Sequence, residues 1–204
     1  PIYQGKYRDF DPEEAKKKLA AGEEAAIRFR VEEGDPVQWD DLVHGKMSIE
    51  RDTIGDFIFV RSDGTPSYNF AVVVDDALMG MTEVLRGDDH ISNTPRQILL
   101  YQAMGFDLPN FGHLPMILGP DGSRLSKRHG ATSVEEFRTR GYLPDALINF
   151  LAFLGWNPGD EKEIFSREEL IQAFGVDRVN KAAAIFNFEK LDWLNGQYMR
   201  STPV

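Results

Sequence analysis

Residues 119–130 read Gly-Pro-Asp-Gly-Ser-Arg-Leu-Ser-Lys-Arg-His-Gly, and the remainder of the chain takes its meaning from them. Pro120 presets φ for the first central position of a turn and Gly122 accepts positive φ without steric cost, so this stretch predicts a loop. Arg124, Lys127, Arg128 and His129 fall within six residues, Ser123 and Ser126 stand among them, and no carboxylate follows Asp121. Short basic loops are often simply solvated surface. The mix of glycine, hydroxyls and cations also suits a mobile loop that converges backbone N–H groups, O–H groups and ammonium groups on phosphate oxygens.

Just upstream, Leu114 to Leu118 reads as a short apolar strand. Before it, Ile98, Leu99, Tyr101 and Met104 give a helix with Ser92 or Asn93 as its cap and Gly105 as its stop, preceded by a strand over Thr82 to Leu85. Strand, helix, strand and then a loop at a strand's carboxyl end is half of a nucleotide-binding α/β unit, with the ligand where open sheets hold theirs. Downstream, the spacing predicts helices over 133–140, 144–154, 166–174 and about 187–198, with Leu147, Phe150, Leu151 and Leu154 as packing positions. Toward the amino end, Asp11 is placed to cap a helix that opens with Pro12 and carries Glu13 and Glu14 in its first turn. Between them, strands are expected over 25–31, 37–43, 46–50, 57–61 and 68–74, the last a run buried on both faces.

The 204 residues are 42% hydrophobic and 11% aromatic, enough for one sizeable core or two small ones. No apolar run approaches the roughly 20 residues needed to cross a bilayer, and no signal-peptide pattern opens the chain. The chain has no cysteine, so it has neither a disulfide framework nor a thiolate metal site, and a cytoplasmic location is expected. A net charge of -10 argues against binding nucleic acid through an overall positive field, which leaves phosphate contacts to clusters such as Arg124 to Arg128 or Arg138 and Arg140.

Three further segments carry candidate chemistry. In Gly64 to Asp76, Tyr68 could orient a small polar ligand from the mouth of a strand or sit half in the core, and Asp75 and Asp76 could be paired acids, metal ligands or a helix cap. In Val84 to Pro95, Arg86 directly after an apolar strand suits bidentate capture of a carboxylate, or else a local salt bridge with Asp88 and Asp89. His113-Leu114-Pro115 offers an imidazole for stacking or for a structural hydrogen bond, whereas His44 and His90 have surface or capping roles as their default.

Arg124-Leu125-Ser126-Lys127-Arg128 resembles the Lys-Met-Ser-Lys-Ser loop of class I aminoacyl-tRNA synthetases in its Ser-Lys-Arg form. With Arg86-Gly87-Asp88-Asp89-His90 ahead of a Thr-Pro helix, the His-x-Pro segment and the tail FEKLDWLNGQYMR, the chain is similar to bacterial-type glutamyl-tRNA synthetases over essentially its whole length. The resemblance implies an α/β fold: the second half of a class I nucleotide-binding (Rossmann-like) domain at 67–130, preceded by an α+β connective insertion at 1–66 and followed by a helical stem-contact region at 131–204. It implies ATP with Mg2+, L-glutamate and tRNA(Glu) as reaction partners, and a monomeric parent. Lys127 becomes the catalytic cation, with Arg124, Ser126, Arg128 and His113 on ATP, and Arg86 and Tyr68 on the amino acid. A buried guanidinium facing the amide of glutamine would lose roughly 2 to 5 kcal/mol, which assigns selectivity to Arg86.

The chain also departs from that family. No two of its four histidines stand at the spacing of the His-Ile-Gly-His motif, and the anticodon-binding helices that the resemblance leads one to expect after Val204 are not among these residues. Val72 stands where some members have an asparagine, and Tyr7 where zinc-bearing members have a cysteine, so no zinc is expected. The sequence thus reads as a central fragment, inactive alone. The alternatives are a non-catalytic piece that contacts the tRNA acceptor end, or a glutaminyl-tRNA or glutamyl-Q tRNA(Asp) synthetase.

Overall fold

The computed structural model describes residues 3, 5–130 and 133–201. They form two compact units, one of residues 1–85 with 90–112, the other of residues 86–89 with 113–204.

In the first unit, helix α1 (Pro12–Ala20) starts as the sequence indicates, with the Asp11 carboxylate accepting from the Glu13 N–H. Strand β1 (Ile27–Phe29) pairs antiparallel with β4 (Phe57–Val60), and β2 (Val37–Asp41) pairs antiparallel with β3 (Gly45–Ile49) around the His44 turn. Alternation along β2 buries Val37, Trp39 and Asp41 and exposes the residues between them. The short helix α2 (Arg51–Ile54) ends at Gly55, and the Asp56 carboxylate just beyond it takes the Arg8 guanidinium at 2.7 Å and the Val31 N–H at 2.9 Å.

The run from Tyr68 is not the strand its three consecutive valines suggest. It is helix α3 (Tyr68–Met79). Phe70, Val73, Val74 and Ala77 recur at helical spacing, Ser67 is extended just before it, and Gly80 ends it at φ 68°, where only glycine is unstrained. Tertiary packing overrides β-branched propensity here, because Val73 is fully buried where α3 lies against β4 and the next helix. Asp75 and Asp76 therefore lie within a helix and do not end a strand.

Strand β5 (Glu83–Gly87), helix α4 (Thr94–Met104) and strand β6 (Asn110–Leu114) follow in the expected order, and β5 pairs with β6. Between β5 and α4 a 3-10 turn, Asp88–Asn93, carries the chain round. Asn93 stands at the cap position without a side-chain capping bond, so backbone geometry rather than a side chain starts α4. Val31, Val37, Trp39, Val73, Ile98 and Phe111 belong to the core of this unit.

In the second unit, Pro115 separates β6 from β7 (Ile117–Leu118), so the expected single strand is two. Helices α5 (Val134–Thr139), α6 (Pro144–Ala152), α7 (Arg167–Ala173) and α8 (Phe188–Ser201) match the spacing of the sequence. Capping boxes at Ser133 with Glu136 and at Ser166 with Glu169 start α5 and α7. A two-residue strand β8 (Ala184–Ile185), too short for periodicity to reveal, runs parallel to β7. Phe137, Leu147, Phe150, Phe186, Leu191 and Leu194 form one core, and Trp156, Phe165 and Leu170 a second. Fully buried Asn149 joins the helices, with its carbonyl accepting from the Phe165 N–H at 2.8 Å and the Tyr198 hydroxyl at 3.0 Å while its amide donates to the Glu163 carbonyl.

Candidate functional site

The basic loop is a hairpin with a pinned end. Its base is β7, held on one side by β8 through Phe186 N–H to Leu118 O at 2.8 Å. On the other side the chain folds back, bridging Leu118 to Arg124, with Leu125 N–H donating to Ile117 O at 2.9 Å. The tip closes through Gly122 N–H to Gly119 O. Leu125 packs against the helical core, which anchors the returning arm. Ser126 then caps a 3-10 turn, Lys127–His129, that displays the cations.

His129 holds this arrangement together. Its side chain is 8% exposed. Nδ1 accepts from the Ser126 N–H at 3.0 Å, and Nε2 meets Asp121 Oδ1 at 3.1 Å, which is the pattern of a neutral ring protonated at Nε2. The ring lies on Gly119 so closely that a Cβ there would fall 2.8 Å from it. Asp121 in turn accepts from the Ser123 hydroxyl at 2.7 Å and from its N–H at 3.0 Å. These bonds, the hydroxyl's foremost, with the His129 ring, hold its carboxyl well below the usual carboxylate range, so Asp121 is a fixed anion inside a cationic loop.

The loop's cations are not equivalent. Arg128 bonds the Ser123 hydroxyl at 2.6 Å and lies 3.5 Å from Asp121. Arg124 pairs with Asp89 at 3.3 Å, with both groups in solvent, so the pair adds little stability and is easily exchanged for a ligand. Lys127 is exposed, and among the described residues its ammonium has no ion pair.

The second unit therefore brings together, of the residues singled out from the sequence, Arg86, His113, Arg124, Ser126, Lys127 and Arg128. Arg86 on β5 donates from Nε to Nε2 of His113 on β6 at 3.1 Å, and His113 is fully buried. Tyr68 belongs to the first unit, where it opens α3 half-exposed with its hydroxyl 3.5 Å from His90 Nδ1. His90 also bonds Asn93, and buried Gln97 donates to Asn69 on α3 at 3.0 Å. Neither His129 as a pin nor Asp89 as a partner of Arg124 was singled out from the sequence. The Ser-x-x-His spacing of a capping box was the available signal for the first. The second joins residues far apart in the chain, and nothing local marks it. Among the described residues no group of three or more His, Asp or Glu could hold a metal ion.

A helix between paired strands, followed by a cationic hairpin, is the plan of a class I aminoacyl-tRNA synthetase catalytic domain, an α/β fold. The solved glutamate-tRNA ligase from Elizabethkingia meningosepticum, in complex with its amino acid, superposes with a TM-score of 0.88 at 36% identity, over 99% of this chain and 45% of that one. The sequence profile described as tRNA synthetases class I (E and Q), catalytic domain, matches residues 1–193, and the chain belongs to that family. Curated relatives include glutamate-tRNA ligases of Carboxydothermus hydrogenoformans, 57% identical over 202 residues, and of Bacillus subtilis, 50% identical over 202. The alignments cover 99% and 98% of this chain and 42% of each relative. The chain thus spans less than half the length of these relatives.

Proposed function

We propose that these residues are the glutamate-selecting and phosphate-binding part of a glutamate-tRNA ligase. The observation that carries this reading is the placement, within one compact unit, of an anchored guanidinium at Arg86 and a pinned hairpin that presents Lys127 without a counter-ion among the described residues. In the reaction the α-carboxylate of L-glutamate attacks the α-phosphate of ATP and pyrophosphate departs, after which a hydroxyl of the terminal ribose of tRNA(Glu) takes the acyl group from the glutamyl-adenylate, loses its proton and releases AMP. No side-chain nucleophile takes part, so catalysis is positioning and charge stabilisation.

Lys127 neutralises charge on the departing pyrophosphate of MgATP, with Arg124, Ser126 and Arg128 beside it. Arg86 holds the side-chain carboxylate and Tyr68 seats the substrate. Residues 1–66, 67–130 and 131–204 then serve as connective insertion, nucleotide-binding half and stem-contact region, acting in the cytoplasm. Among the described residues no helix is long and apolar enough to cross a membrane.

Glutamate-dependent exchange of pyrophosphate into ATP tests the assignment in a full-length protein carrying these residues, with tRNA present. Lys127→Ala is expected to lower the rate by about 100 to 1000-fold. Arg86→Ala is expected to abolish use of glutamate, and unchanged kinetics in either variant would sink its role. The 204-residue chain alone is expected to give no exchange.

A further inference from the structure

We infer that His113 is the residue that aims Arg86, and that selection of a carboxylate over an amide depends on the hydrogen bond between them. The inference rests on Arg86 being the carboxylate-binding residue, as proposed above. It begins with burial. Phe111, Gly112 and His113 on β6 are all buried, on both faces of the strand, and His113 is fully buried although imidazole is strongly polar. A buried polar ring is kept only if it is hydrogen-bonded, and one of its bonds is from Arg86 Nε at 3.1 Å.

The direction of that bond is fixed by chemistry. A guanidinium in a protein is always charged and has only donors, so Nε2 of His113 supplies the lone pair and the ring is neutral, with its proton on Nδ1. An imidazolium would set N–H against N–H.

The consequence for recognition follows from the shape of arginine. Its guanidinium is a rigid planar fork, so anchoring Nε sets both the plane of the group and the direction of its two terminal NH2 groups. Bidentate binding of a carboxylate needs both NH2 groups coplanar with the ligand, whereas an amide oxygen takes only one such bond. An unanchored arginine at the end of a flexible stem could follow either ligand. A fixed one favours the carboxylate, because the orientational entropy of the side chain has been lost before binding. His113 is accordingly a positioning residue: it touches Arg86, and its effect appears in the amino acid rather than in ATP.

Steady-state exchange kinetics in a full-length protein carrying these residues test this with a nearly isosteric pair. His113→Gln keeps an acceptor at the reach of Nε2, and His113→Met keeps similar volume without an oxygen. The expected result is a KM for L-glutamate at least tenfold higher in His113→Met and within about threefold of the parent in His113→Gln. The KM for ATP should be unchanged in both, and the preference for glutamate over glutamine reduced in His113→Met alone.

Equal effects of the two variants would show that the ring acts only through packing. A rise in the KM for ATP with glutamate unaffected would place His113 on the adenine instead. Arg86→Lys separates the two levels of the argument. If it leaves glutamate kinetics intact, the assignment of Arg86 itself fails. If it impairs them while His113→Met does not, only the role of His113 fails. Should His113→Met not fold, the ring nitrogens of His113 in the parent, labelled with 15N, decide the matter. A neutral ring protonated at Nδ1 supports the bond, and an Nε2-protonated ring overturns it.

Discussion

At the scale of single residues, the sequence supplies side-chain types and the fold decides what each one faces. Arg86 is legible as a carboxylate binder or a local ion pair from its place after an apolar run, yet its bond to His113 joins residues 27 positions apart and could not be read from either segment. Asp56 makes the same point without function. Its side chain is 3% exposed, and desolvation pushes its pKa up, but the Arg8 guanidinium and the Val31 N–H outweigh burial and hold the carboxyl below its usual value. A carboxyl with a depressed native pKa stabilises the fold above the unfolded value of about 3.9, and that contribution disappears as pH falls through the lower native value. Asp56→Asn should therefore be less stable than the parent by about 2 kcal/mol at pH 7, with the gap closing in acid. Urea midpoints between pH 7 and pH 2 measure it, and a gap that widens in acid would contradict the depressed native pKa.

At the scale of elements, local signals succeeded where one end was strongly marked. Asp11 with Pro12 starts the helix it announces, and the expected helices from 133 and 166 begin at the capping boxes of Ser133 with Glu136 and Ser166 with Glu169. At α3 the helical spacing of Phe70, Val73 and Ala77 prevails over the strand preference of three consecutive valines, and the two residues of β8 are too few to carry a period. In the hairpin, turn chemistry gave the loop but not its pin. His129→Ala removes the acceptor of the Ser126 N–H and the ring beneath Gly119, so the turn bearing Lys127 should lose its fixed geometry. Amide exchange at Ser126 and Gly130 is expected to quicken by at least tenfold, while exchange within α6 and α8 stays as in the parent. Unchanged exchange in the loop would mean that the hairpin of β7 and Leu125 suffices to order it.

At the scale of the whole chain, a net charge of -10 opposes binding nucleic acid through an overall positive field. If the cations of residues 124–128 are the phosphate contacts, three charges on a single-stranded acceptor end give a slope of log affinity against log salt near about -2. Filter binding with an acceptor-stem RNA measures this, and a slope of roughly -5 or steeper would require cations outside the loop. The sequence by itself determined the family, the order of strand, helix, strand and loop, most helix starts and the set of candidate residues, because capping, turn chemistry and periodicity are local and act within a few residues. Only the tertiary structure decided that residues 68–79 are helical, that β7 finds β8, that His129 locks the loop and that His113 meets Arg86. Each of those rests on burial and on hydrogen bonds formed after distant segments are brought together, and those free energies depend on neighbours that local sequence does not specify.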